Sequence, residues 1–151
     1  MHNNESIHVT TGGLPAAPLT VWKCDTCGDN INQPGKALVV WRTDDDHRDY
    51  DFRIVHMDID GRCCDPGTQR GFFCVHLSRF LGDDGLVREL SLLRPVDYNG
   101  FVELVMRTQI PWYEEARPYL HEHTQDWLGD ARQFYSLTSD ALKRIVEHEL
   151  E

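Results

Sequence analysis

The run Cys24-Asp25-Thr26-Cys27-Gly28 constrains this chain more than any other stretch. Two residues between paired cysteines let the backbone turn tightly while both sulfurs point to one side. A glycine directly after the pair supplies the conformational freedom for the chain to leave the turn. Such a pair is half of a tetrahedral, sulfur-rich metal site. The same spacing also serves dithiol redox chemistry, but there it opens a helix after a strand inside a βαβ unit. Here the turn formers of Asp29-Asn30-Ile31-Asn32-Gln33-Pro34-Gly35 follow instead, and a strand pattern comes after them. The order of elements favours metal over redox chemistry.

The other half of the site must come from further along. Ala37-Leu38-Val39-Val40-Trp41 reads as a strand, and Tyr50 to His56 reads as its return, with Tyr50, Phe52 and Ile54 alternating against Asp51 and Arg53. The hairpin they form brings His56 back toward the cysteine knuckle. Cys63 and Cys64 follow, and one of them completes a Cys₃His set. Cys64 is favoured, because Asp65-Pro66-Gly67 directly after it makes a tight turn that would fix a ligand; Cys63 is its rival. Cys74 and His76 offer another pair, two apart and so on one face of a strand. The apolar neighbours Phe72, Phe73 and Val75 favour a buried, inert thiol there. The expected ligands are therefore Cys24, Cys27, His56 and Cys64, around one structural Zn²⁺. Asp58-Ile59-Asp60-Gly61 lacks the oxygen ladder and distal glutamate of a calcium loop and reads as a turn. Asp44, Asp45, Asp46 and Asp49 read as a solvated charge run in the hairpin connection.

The expected fold class is α+β: a small zinc-knuckle β-hairpin module followed by several short helices. Residues 1–19 read as a flexible N-terminal arm, 20–95 as the β-rich module with a helical end, and 96–151 as a helical C-terminal extension packed on it. Phe72-Phe73-Cys74-Val75 reads as a strand or the approach to a helix. His76 to Leu81 reads as a helical turn or two ended by Gly82. A helix across Gly85 to Arg94, capped by Asp83 or Asp84, has Leu86, Leu90 and Leu93 on one face and Pro95 behind it. Phe101, Val102, Val105 and Met106 have helical spacing, with Asp97 or Asn99 as cap and a stop before Pro111. Trp112 to Arg117 makes a short helix. A loop through His121 and His123 leads to Trp127 and Leu128. Ser139 caps a last helix from Asp140 to about His148, with Leu142, Ile145 and Val146 facing inward.

At Trp22-Lys23-Cys24-Asp25-Thr26-Cys27-Gly28 the chain resembles the knuckle of zinc-ribbon and treble-clef proteins, whose members draw a second ligand pair from a later turn or helix. Cys24 and Cys27 carry over from that resemblance. The pair His56 and Cys64 is spaced more widely than in most such proteins. The overall pattern also resembles that of small bacterial proteins, from which no activity carries over.

The net charge is −10, from 25 acidic and 15 basic residues. A phosphate backbone would be repelled unless the arginines of 61–95 (Arg62, Arg70, Arg79, Arg88 and Arg94) converged in space, so a nucleic-acid partner is not expected. The chain has no His-Glu-x-x-His run, no deaminase pattern and no glycine-rich phosphate loop, which argues against an enzyme. Five cysteines, an odd number, fit reduced thiols on metal better than a secreted disulfide scaffold. Without a signal-like start or a membrane-length apolar run, a cytoplasmic protein of bacterial or phage type is expected. The expected function is protein interaction or regulation around a structural zinc, with aromatics of the last third (Trp112, Tyr113, Tyr119, Trp127, Phe134 and Tyr135) as anchors for a protein partner. The alternatives are a metal-dependent hydrolase and a zinc-knuckle nucleic-acid regulator.

Overall fold

A computed structural model of the chain describes residues 19–58, 63–120 and 134–150. The arm up to residue 18, the Ile59-Asp60-Gly61 turn, Arg62, and the stretch holding His121, His123, Trp127 and Leu128 lie outside the described residues. The chain divides into two compact units, one spanning Val21–Gln109 and the other holding the described residues from Ile110 onward. The expected boundary after residue 95 falls inside the first unit, between two of its helices.

The first unit begins with a short antiparallel ribbon, β1 (Trp22–Lys23) and β2 (Asn30–Ile31), joined by the cysteine turn. Then β3 (Ala37–Thr43) and β4 (Asp49–His56) form the expected hairpin, and β5 (Phe72–His76) adds to the other side of β3. The sheet order is β4-β3-β5, antiparallel throughout. Central placement explains the sequence of β3: Ala37 to Trp41 are all buried, so a continuous apolar run replaces alternation. In β4 the alternation breaks at Asp51, whose φ of 59° accompanies a register shift opposite Val40–Arg42. This bulge lets Asp51 bind both Arg53 and Arg42, whose guanidinium groups lie over the Phe72 ring at 5.1 and 4.5 Å.

A 3₁₀ turn, Leu77–Phe80, leads into α1 (Gly82–Leu92), and α2 (Tyr98–Gln109) follows. Gly82 does not end the preceding turn on its own account: with φ of 77° it redirects the chain and opens α1. Asp83 and Asp84 sit inside the first turn of α1, where they complement the helix dipole, and neither side chain caps it. The helix ends at Leu92, so Arg94 lies beyond it and shares no helix face with Arg88. The expected leucine stripe holds only in part: Leu93 is buried just past the helix end and Leu86 is half-buried, but Leu90 is exposed, and the buried positions within α1 are Gly85 and Glu89. Gly85 is required there because the 3₁₀ turn crosses α1 at backbone contact. A Cβ on residue 85 would stand 2.3 Å from the carbonyl carbon of Phe80. Gly85→Ala must push these elements apart, and a loss of about 3 kcal/mol is expected. Urea unfolding tests this; a midpoint within error of wild type refutes the close packing.

Asp97 caps α2 as expected, its Oδ1 accepting the N–H of Gly100 at 3.0 Å. Phe101 of α2 meets Phe52 of β4, with ring centroids 6.0 Å apart. Buried Asp49 accepts the Thr43 hydroxyl at 2.7 Å and the Arg94 N–H at 2.8 Å, which ties the end of α1 to the sheet edge. The core of this unit gathers Trp22, Ile31, Val39, Val40, Ile54, Val55, Leu77 and Phe80.

In the second unit, α3 (Tyr113–Ala116) continues as a 3₁₀ turn, Arg117–Tyr119, and α4 (Ser139–Leu150) packs on α3. Leu142 and Val146 of α4 are buried as the spacing predicts. Its start is capped by Thr138 rather than by Ser139, the Thr138 hydroxyl accepting the Ala141 N–H at 3.3 Å. Of the expected surface aromatics, Tyr135 is exposed, but Tyr113 is buried and belongs to the interior.

Candidate metal centre

Three separate stretches of the first unit converge on one point. Cys24 and Cys27 come from the β1–β2 turn, His56 is the last residue of β4, and Cys64 comes from the segment that follows. The four ligand atoms, three sulfurs and one imidazole nitrogen, all lie within 4.8 Å of one another. His56 Nδ1 is 3.5 Å from Cys27 Sγ and 3.8 Å from Cys64 Sγ. Zinc bonds of about 2.3 Å to sulfur and about 2.0 Å to nitrogen, set tetrahedrally, place ligand atoms about 3.5 Å apart, so the set has the right size. Cys24 and Cys64 are buried, Cys27 is exposed, and His56 is 9% exposed. The site lies at the surface with its back closed.

The knuckle geometry follows from its hydrogen bonds. The Cys24 N–H donates to the Asp29 carbonyl at 2.9 Å, and the Gly28 N–H donates to the Cys24 carbonyl at 3.0 Å. Gly28 takes φ of 81°, the left-handed conformation expected of it. The Thr26 N–H points at Cys24 Sγ, 3.4 Å away. His56 Nε2 stands 3.2 Å from the Asn30 carbonyl oxygen. A carbonyl only accepts, so Nε2 carries a proton and Nδ1 is the ring nitrogen turned toward the sulfurs. Nδ1 is therefore the atom that would bind a metal once it gives up any proton it shares with a thiolate.

The electrostatics separate the thiols. Burial alone would raise the Cys24 pKa, but donation from the backbone N–H groups of Cys27, His56 and Thr26 and from the His56 side chain brings it down to about 6. Burial, together with hydrogen bonding and charge repulsion from Cys24 and Cys27, pushes Cys64 up to about 12. The protein groups thus favour the Cys24 thiolate and oppose that of Cys64. A divalent cation supplies the charge that lets Cys64 ionise as well.

All four expected residues meet in this cluster. Cys63 is exposed and stands outside it, as do Cys74 and His76 on β5; Cys74 is exposed rather than buried as expected, because β5 is an edge strand. The thiol pKa of Cys74 is raised, first by burial and then by the charge of Asp65. Adjacent residues in an extended segment point to opposite sides, which separates Cys63 from Cys64.

Asp25 and Thr26 were legible only as spacers, yet each holds the knuckle to another element. The Thr26 hydroxyl donates to the Cys64 carbonyl at 2.9 Å, joining the two cysteine-bearing segments. Asp25 exchanges bonds with β4 on both sides: its N–H donates to the Ile54 carbonyl, and its Oδ2 accepts the Ile54 N–H, both at 2.8 Å. The same oxygen accepts Arg107 Nη1 at 2.6 Å. Arg107 is 3% exposed, on the inner face of α2. The available signal was the placement of Arg107 and Thr108 three and four residues after Leu104, which puts polar side chains on the apolar face of an amphipathic helix. Removing one partner of such a buried pair costs about 3–5 kcal/mol.

Among the described residues no helix is long and apolar enough to cross a membrane. Compared with protein-family models, curated proteins and solved structures, the chain finds no match, so its likeness to zinc ribbons and treble clefs rests on the knuckle itself.

Proposed function

We propose that Cys24, Cys27, His56 and Cys64 hold one structural zinc ion, and that the protein acts by binding a protein partner, as an interaction or regulatory domain, rather than by catalysis. The observation that carries the metal reading is the convergence of three sulfurs and one imidazole nitrogen within 4.8 Å. Four protein ligands complete a tetrahedron and leave no position for a reacting water, which is the mark of a structural site. The binding reading is supported by large apolar side chains left exposed in the first unit: Phe73, Val87, Leu90, Leu92, Val96 and Tyr98. The net charge of −10 speaks against a nucleic-acid partner, and Arg70, Arg79, Arg88 and Arg94 come from separate elements: the two 3₁₀ turns that flank β5, α1 and the segment after it.

Elemental analysis and X-ray absorption of protein purified without added metal test this together. The expected result is one zinc per chain with a first shell of three sulfurs and one nitrogen. Less than a few tenths of an equivalent, with the thiols reduced, sinks the metal reading. A first shell containing a water oxygen in place of a protein ligand moves the assignment to a metal-dependent hydrolase.

A further inference from the structure

Three consecutive residues at the end of α2 reach three different elements. Arg107 Nη1 and Nη2 donate to Asp25 Oδ2 and the Lys23 carbonyl, at 2.6 and 2.9 Å, and its own carbonyl accepts the Trp22 indole N–H at 2.9 Å. The Thr108 hydroxyl lies 3.0 and 3.1 Å from the two carboxyl oxygens of Glu89 in α1. Gln109 Nε2 donates to the Phe80 carbonyl at 2.6 Å, in the 3₁₀ turn that crosses α1 at Gly85. At about 100° per residue, three successive side chains of one helical turn fan out over much of its circumference. This turn is therefore the place where knuckle, α1 and 3₁₀ turn are held together.

We propose that the last turn of α2 couples metal occupancy at the knuckle to the docking of α1 and α2, with Arg107 as the positioning residue. The proposal rests on the zinc reading above. Asp25 is one of the two residues between the cysteine ligands, and its backbone and carboxylate are bonded to Ile54, two residues before the ligand His56. Metal that closes Cys24, Cys27 and His56 on one point also fixes the Asp25 carboxylate beneath Arg107. A guanidinium stays charged at any pH a protein tolerates, and the Asp25 carboxylate is the acceptor here that matches its charge. Opening of the knuckle withdraws the carboxylate. Arg107 is 3% exposed and reaches water only if the end of α2 moves outward, taking Thr108 and Gln109 from Glu89 and Phe80. Coupling of this kind is reciprocal: whatever loosens the end of α2 weakens metal binding in equal measure.

The test uses the full chain and zinc alone. Zinc affinity is measured by competition with a chromogenic chelator for wild type, Arg107→Met, Arg107→Lys and the exposed control Arg88→Met. Backbone hydrogen exchange is followed with and without chelator. Replacing the hydrogen-bond partner of a metal ligand costs about 10–100-fold in affinity. Arg107 acts one step further out, through Asp25, so a loss of about tenfold, the lower end of that range, is expected for Arg107→Met. Arg107→Lys should fall between Arg107→Met and wild type, because it keeps the charge without the two-pronged geometry, and Arg88→Met should match wild type. Chelation of wild type should raise exchange in Tyr98–Gln109 and Gly82–Leu92. The zinc-saturated Arg107→Lys protein, which keeps the test open if Arg107→Met does not fold, should show part of that rise. Wild-type protein that retains no zinc overturns the metal reading itself. Zinc-loaded wild type whose Arg107 variants bind zinc as tightly, or whose α1 exchange ignores the chelator, overturns the coupling and leaves the metal reading standing.

Discussion

Cys64→Ser is expected to strip the chain of zinc and unfold its first unit, while Cys63→Ser keeps one equivalent of metal and the wild-type fold. The two substitutions are chemically identical and one residue apart. They differ because the Cys64 sulfur faces His56 Nδ1 at 3.8 Å, whereas Cys63 is exposed outside the cluster. Structural zinc contributes about 10–16 kcal/mol of apparent binding free energy in small zinc domains, which exceeds or matches the net stability of about 5–15 kcal/mol typical of a whole domain. Losing a ligand weakens binding by more than about 100-fold, since disturbing even a ligand's hydrogen-bond partner costs about 10–100-fold. Chelator competition gives the affinities and thermal unfolding gives the stabilities. Equal loss of metal from both variants would falsify a mononuclear site with these four ligands.

Glu89→Gln is expected to stabilise the protein in alkaline solution by several kcal/mol. Glu89 is fully buried between α1 and α2, with the Thr108 hydroxyl against its carboxyl group. Burial pushes its pKa from 4.5 up to about 8, a rise that the Thr108 hydrogen bond only moderates. The folded state thus holds this proton more tightly than the unfolded state does. Its contribution to stability is fully present below about 4.5 and declines as pH rises, reaching its minimum above about 8. At about 1.4 kcal/mol per pKa unit, the difference across that window is about 3–5 kcal/mol. Glutamine keeps the shape and the hydrogen-bonding capacity but carries no titratable proton. The measurement is urea unfolding of both proteins at pH 6 and pH 9, taken as the difference between them so that groups common to both cancel. Between pH 6 and pH 9 the variant should gain about 2–3 kcal/mol on wild type, because the part of the window below pH 6 has already been passed. Parallel stabilities at the two pH values would show that Glu89 ionises freely in the fold.

What the sequence determined by itself was the local chemistry. The Cys24–Cys27 spacing, the glycine behind it, the β3–β4 hairpin and the return of His56 all follow from short-range backbone preferences, and short-range preferences are written in neighbouring residues. The helices from Tyr98 to Gln109 and from Ser139 to Leu150 were legible for the same reason, as were the Asp97 cap and the turn after Cys64. The tertiary structure decided the rest. The turn after Cys64 favoured it over Cys63, but the meeting of its sulfur with His56, Cys24 and Cys27 on one point joins three stretches that only the fold brings together. β5 becomes a strand because β3 offers it an edge. The inward face of α1 carries Gly85 and Glu89, with Leu90 left outside, because the 3₁₀ turn approaches at backbone distance and Thr108 stands ready to bond a carboxyl. Arg107 meets Asp25 across 82 residues of sequence, and nothing within a window of local sequence joins them. Hydrophobic periodicity reports which face of a helix is buried but not what it is buried against, and a buried polar residue breaks the periodicity unless its distant partner is known.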